Sequence, residues 1–224
     1  MIRAVIFDLD DTLFPEKEYI ESGYRHIAKI IKKTWKIDEN KTSSLLWEFY
    51  KENPKKVFNR LLEAEGIQCT EKAISFLVEE YRSHKPKISF YSDVIPFLDF
   101  LNHKKIKKGI ITDGYAVTQQ RKLEALNAYD IFEKIIITDE LGREFWKPHP
   151  KPFEIMSKEL AIDFNNMMYI GDNPEKDFYI NKIYPIATAR INRDGIYKEK
   201  KYLNNIKETY SIKNLNDLYP YLTK

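Results

Sequence analysis

Near its start the chain runs Val5-Ile6-Phe7-Asp8-Leu9-Asp10-Asp11-Thr12, an apolar β-favouring run that stops at a set of carboxylates. Such an uninterrupted run reads as a strand buried on both faces, the pattern of a parallel sheet with helices on either side. In such sheets ligands gather beyond the carboxyl ends of the strands. Residues i and i+2 of an extended segment point the same way, so Asp8 and Asp10 can face one ligand. The same stretch also fits a strand followed by an acidic, helix-capping turn. The rest of the chain decides between them.

Further β-rich runs recur at Lys107 to Thr112, Lys134 to Thr138, Met167 to Ile170 and Pro185 to Ile191, joined to Arg3 to Phe7 by helical patterns. Helices are expected from Ser92 or Asp93 through Asn102, from Tyr115 to Leu126 and from Pro152 to Leu160. Alternation of this kind predicts an α/β fold, a doubly wound, Rossmann-like parallel sheet. After Asp194 only a short closing helix around Leu215, Leu218, Tyr221 and Leu222 is legible.

Between the first strand and the next α/β unit, from about Glu16 to Ser83, nearly everything reads as helix. Thr42 or Ser43 is the expected N-cap of a second helix, Pro54 the first residue of a third with Gly66 as its stop, and Thr70 the cap of a fourth. Trp47, Phe49, Tyr50 and Phe58 recur at helical spacing and are read as packing. The expected division is a core of residues 1–14 and 92–224, with a small helical domain at 15–91 inserted in it.

At 224 residues and 43% hydrophobic content the chain can bury a sizeable core. A net charge of +3 with scattered Lys and Arg argues against a nucleic-acid polymer as partner. The basic runs Lys104 to Lys108 and Lys198 to Lys201 read as solvated surface. One cysteine, Cys69, precludes an intrachain disulfide, and no stretch reaches membrane-spanning length. A cytoplasmic protein, monomeric or homodimeric, is expected. His26, His84, His103 and His149 share no metal spacing and read as surface or helix-end residues.

Several predicted strands end in chemistry: Asp8, Asp10 and Thr12; Thr112 and Asp113; Lys147 after the third; Asp172 and Asp177 after the fourth. In a parallel sheet these ends share one edge. Carboxylates in such number need a cation among them and suit Mg²⁺. A phosphoryl group needs such a metal, a lysine, a hydroxyl and a nucleophile, which a carboxylate can supply. A second carboxylate can protonate the leaving oxygen and later activate water.

These residues resemble the motifs of the haloacid dehalogenase-like (HAD) hydrolase superfamily, in its order and over its whole core. Asp8-Leu9-Asp10-Asp11-Thr12 is similar to the first motif, Thr112-Asp113-Gly114 to the second, Lys147-Pro148 to the third, and Gly171-Asp172 with Asp177 to the acidic fourth. Arg143 to Trp146 reads as a small insertion before Lys147, and Lys151 is its near competitor. The inserted helices resemble a C1-type cap.

The resemblance implies that Asp8 is the nucleophile and a metal ligand. Asp10 would be the general acid/base, its carbonyl a second ligand. Thr112 and Lys147 would hold the phosphoryl group, Asp172 would bind Mg²⁺ and Asp177 would support the metal's shell. Thr12 would be a structural hydroxyl and Asp11 a turn residue. Dehalogenases of the superfamily generally lack the acid at the position of Asp10. The expected activity is therefore a Mg²⁺-dependent phosphomonoesterase acting on a small phosphorylated metabolite, a nucleotide monophosphate or a sugar phosphate. A phosphomutase, a haloacid dehalogenase and a non-catalytic binding protein are the alternatives.

Overall fold

The computed structural model describes residues 1–193 and 201–223. Most of the Lys198 to Lys201 run lies outside them; Lys201 is exposed. Strand β1 (Ala4–Phe7) is followed by four helices, α1 (Glu16–Trp35), α2 (Glu39–Glu52), α3 (Val57–Ala64) and α4 (Glu71–Ser83). Then come α5 (Val94–His103), β2 (Lys107–Thr112), α6 (Ala116–Ala125), α7 (Ala128–Ile131), β3 (Lys134–Ile137), α8 (Lys151–Leu160) and β4 (Met167–Gly171). The chain closes with α9 (Ile180–Ile183), β5 (Ala187–Ile191), β6 (Tyr210–Ile212) and α10 (Tyr219–Leu222). It forms two compact units, Met1–Glu16 with Ile88–Lys224, and Lys17–Lys87.

The first unit is built on one sheet of order β3-β2-β1-β4-β5-β6. Every pairing in it is parallel. Strand β1 lies in the middle, with Phe7 level with Ile110 of β2 and Ile170 of β4. The strand order turns back at β1, which opens a crevice beyond the ends of β1, β2 and β4.

Successive residues of β1 serve opposite faces. Ile6 joins Phe153, Met156 and Leu160 of α8 in one apolar cluster. Phe7 meets Phe97 of α5 edge-on, ring centroids 6.1 Å apart. Burial of each such side chain contributes about 1.5–3 kcal/mol, which explains why β1 carries no polar alternation.

Sequence and structure differ at the ends of some elements. The third strand ends at Ile137, because Thr138 opens a 3₁₀ turn. The fifth starts at Ala187 rather than Pro185. Strand β6 was not expected; it has three residues and occupies one edge of the sheet.

The second unit packs α1 to α4 around Ile27, Ile31, Leu46, Leu61 and Leu77. Trp47, Phe49, Tyr50 and Phe58 pack against that cluster. Thr70 caps α4 by accepting from Ala73 N at 3.2 Å. Gly66, at φ +65°, ends α3 in the left-handed conformation.

Two helix starts differ from expectation. Asp38, not Thr42 or Ser43, caps α2, accepting from Lys41 N at 2.8 Å. Pro54 does not open α3, which begins at Val57 after Lys56. His84 ends α4 as its C-cap, in line with a helix-end residue, but is buried rather than at the surface, its Nδ1 2.6 Å from Tyr81 O. Its ring lies against Tyr19 and Tyr81 and stacks on His26.

Candidate active site

Four of the residues expected to carry chemistry meet at the end of β1. Asp8 N donates to Ile170 O at 2.8 Å, extending the β1–β4 pairing by one residue. That bond fixes the backbone from which the Asp8 carboxylate projects. One oxygen each of Asp8, Asp172 and Asp177 lies within 4.8 Å of the others, and all three residues are buried.

Lys147 is the cation among them. Its Nζ donates to Asp8 Oδ1, to Asp177 Oδ1 at 2.9 Å and to the Tyr169 hydroxyl at 2.7 Å. Within the insertion Arg143 to Trp146, Arg143–Phe145 folds into a single 3₁₀ turn, so the extra residues do not displace Lys147 from the crevice. Lys151 is exposed at the start of α8.

Asp177 is held on both sides, since its Oδ2 accepts from Asn173 N at 2.9 Å. Gly171 leaves the room for this, because a Cβ there would overlap the Asp177 carboxylate.

Asp10 sits at the same edge but points to α6. Lys122 Nζ donates to its Oδ1 at 2.6 Å and Gln119 Nε2 to its Oδ2 at 2.8 Å. Gln119 Nε2 also lies 2.5 Å from Thr112 Oγ1 at the end of β2. Asp11 takes a positive φ of 51° as the turn residue, and its Oδ1 accepts from Glu16 N at 2.9 Å. Thr12 differs from expectation. Its hydroxyl oxygen is buried and makes no hydrogen bond among the described residues.

Electrostatics here are governed by burial and by like charges. Burial, reinforced by Asp177, raises Asp8 to about 6 in spite of Lys147. Asp172 is pushed well above the ordinary carboxylate range by burial and then by Asp8 and Asp177. Burial opposes the charge on Lys147, yet Asp177 and Asp8 hold its ammonium well above the usual lysine value. Three buried carboxylates with oxygens within 4.8 Å of one another form an oxygen-rich donor set that could hold a hard divalent cation.

Several residues found here carry no role expected from the sequence. Asp113 accepts from Lys147 N at 3.1 Å, Thr138 Oγ1 at 2.8 Å and Lys176 Nζ at 2.8 Å. Tyr169 bridges Lys147 and Asp177 from within β4. Gln119 and Lys122 occur three apart, hence on one face of α6; that spacing alone does not separate them from a solvated polar stripe.

A family model described as haloacid dehalogenase-like hydrolase matches residues 5–188. The chain is 33% identical over 214 residues to a glyceraldehyde 3-phosphate phosphatase of Methanopyrus kandleri, covering 92% of this chain and 90% of that one. It is 30% identical over 225 residues to a protein of the same description from Methanocaldococcus jannaschii, covering 97% and 96%. Among solved structures, the HAD-hydrolase YfnB from Bacillus subtilis bound to magnesium superposes with a TM-score of 0.69 at 20% identity, covering 100% and 99%. The sheet order, the motifs at its strand ends and these matches agree, and the chain belongs to the haloacid dehalogenase-like hydrolases.

Proposed function

We propose that this protein is a Mg²⁺-dependent phosphomonoesterase that works through a phosphoaspartate on Asp8. The observation that carries the reading is the placement of Lys147 Nζ against Asp8 and Asp177, with Asp10 at the same sheet edge. A nucleophilic carboxylate, a cation to balance phosphoryl oxygens and a second carboxyl group are the parts that phosphoryl transfer requires.

Asp8 attacks phosphorus as the ester P–O bond breaks, and Asp10 gives its proton to the departing alkoxide. Asp10 then takes a proton from the water that attacks the acyl phosphate, so inorganic phosphate leaves and the Asp8 carboxylate is restored. Thr112 and Lys147 hold the transferring oxygens. Asp8, Asp172 and the Asp10 carbonyl would hold Mg²⁺, with Asp177 in support. Bound there, the cation offsets charge on the phosphoryl group and on the clustered carboxylates.

The acid at Asp10 favours phosphate esters over halides, because an alkoxide needs a proton to leave and a halide does not. The names of the relatives favour a small sugar phosphate of the glyceraldehyde 3-phosphate type over a nucleotide. The test is phosphate release from a panel of phosphomonoesters with Mg²⁺ or EDTA, for the wild type and Asp8→Asn. Release that requires the metal and is abolished in Asp8→Asn supports the mechanism. Release unaffected by Asp8→Asn overturns it.

A further inference from the structure

Asp10 does not stand free at the sheet edge. Each of its carboxylate oxygens has its own donor, Lys122 Nζ at 2.6 Å and Gln119 Nε2 at 2.8 Å. Both donors are almost fully buried, with Gln119 1% and Lys122 3% exposed, whereas the Asp10 side chain is 21% exposed. A buried lysine is costly to desolvate unless it is paired. Its place on α6 is therefore tied to this carboxylate, 112 residues away in sequence. Gln119 also contacts Thr112 Oγ1, so one amide ties the acid to the hydroxyl at the end of β2.

We propose that Lys122 and Gln119 are positioning residues for the proton transfer made by Asp10, an inference that rests on the reading of Asp10 as general acid/base. A carboxyl group held by one donor on each oxygen is fixed in plane and direction, and proton transfer needs donor and acceptor within hydrogen-bond reach. A free Asp side chain at a strand end rotates about two bonds. The two α6 donors remove that freedom before substrate arrives.

The consequence depends on the leaving group. An alkyl phosphate cannot expel its alkoxide without a proton, while 4-nitrophenyl phosphate leaves as a stabilised phenolate. Lys122→Met and Gln119→Leu keep approximate volume and remove the donors. The readout is kcat/KM with Mg²⁺ for glycerol 1-phosphate and for 4-nitrophenyl phosphate, which reports the first transfer, to Asp8. The ratio of the two values in one preparation is independent of how much of the protein is folded.

Lys122→Met is expected to lower the alkyl-to-aryl ratio about 100-fold, near the lower end of general acid–base effects, and Gln119→Leu about 10-fold. In an Asp10→Asn background neither substitution should change the ratio further. An unchanged ratio in both variants, or an undiminished effect of Lys122→Met in that background, overturns the proposal while leaving Asp8 and Asp10 in their roles. If Asp10→Asn itself leaves the ratio unchanged, the reading of Asp10 fails and the proposal falls with it.

Discussion

Lys176 donates to Asp113 at 2.8 Å, and the other oxygen of the same carboxylate receives the main-chain N–H of Lys147 at 3.1 Å. Asp113 thus joins the loop after β4 to the loop that carries the buried lysine. Burial opposes the charge on this carboxyl, yet Lys147, Lys176 and the Thr138 hydroxyl hold it below the ordinary range.

Asp113→Ala is expected to lose about 2–4 kcal/mol, because it leaves donors without an acceptor, one of them charged. Asp113→Asn keeps an acceptor for Lys147 N and should lose less. Denaturant unfolding of both variants checks the ranking. Phosphate release should fall in the same order, since the Lys147 backbone loses its anchor.

Asp8→Asn should make the metal-free protein more stable while abolishing turnover. The folded Asp8 titrates near 6 against an ordinary 3.8. The unfolded chain therefore releases this proton first, and folding stability falls as pH rises from about 4 to about 6. The full cost, roughly 3 kcal/mol at most, is present above pH 6. Thermal unfolding with EDTA should show the variant above the wild type at pH 7.5 by several degrees, at about 2–4 °C per kcal/mol. The gap should close towards pH 4. A wild type more stable than Asp8→Asn at pH 7.5 would show that the ion pair with Lys147 outweighs burial.

Much of this was legible in the sequence, and the reason is physical. The strands β1 and β4 are buried along their length, so their apolar runs are continuous and stop where the polar residues of the site begin. Asp8 and Asp172 were visible for that reason, and Thr112 because it ends the short apolar run Ile110-Ile111 of β2. Lys122 and Gln119 were not, because a helix face that meets a buried carboxylate has the same composition as one that meets water. Tyr169 was hidden inside an apolar run, its hydroxyl aimed at Lys147 in place of a hydrophobic contact. Strand β6 escaped because three residues carry too little periodicity to register.

Mg²⁺ should raise the unfolding temperature of the metal-free protein, with a gain of about 2.7 kcal/mol at a hundredfold excess over the dissociation constant. Asp172→Asn should remove most of that gain. It should also raise metal-free stability once pH exceeds the ordinary carboxylate range, since Asp172 is held well above that range by burial and by Asp8 and Asp177. Titration calorimetry with Mg²⁺ on both proteins separates the two effects. Equal binding by wild type and variant would remove Asp172 from the metal site.

Tyr169→Phe tests the support beneath Lys147. The ammonium has three protons and three acceptors, the carboxylates of Asp8 and Asp177 and the Tyr169 hydroxyl. Phenylalanine keeps the ring that meets Phe153 at 4.9 Å and removes only the oxygen. One donor of a fully buried cation then has no acceptor, at a cost of about 1–3 kcal/mol. The Asp177 oxygen also loses its second contact with the hydroxyl, at 3.3 Å. Freed from one of three tethers, Lys147 should hold the phosphoryl oxygens less firmly, so kcat should fall more than KM rises. Steady-state kinetics beside denaturant unfolding read both effects, and a variant with unchanged kcat would confine Tyr169 to packing.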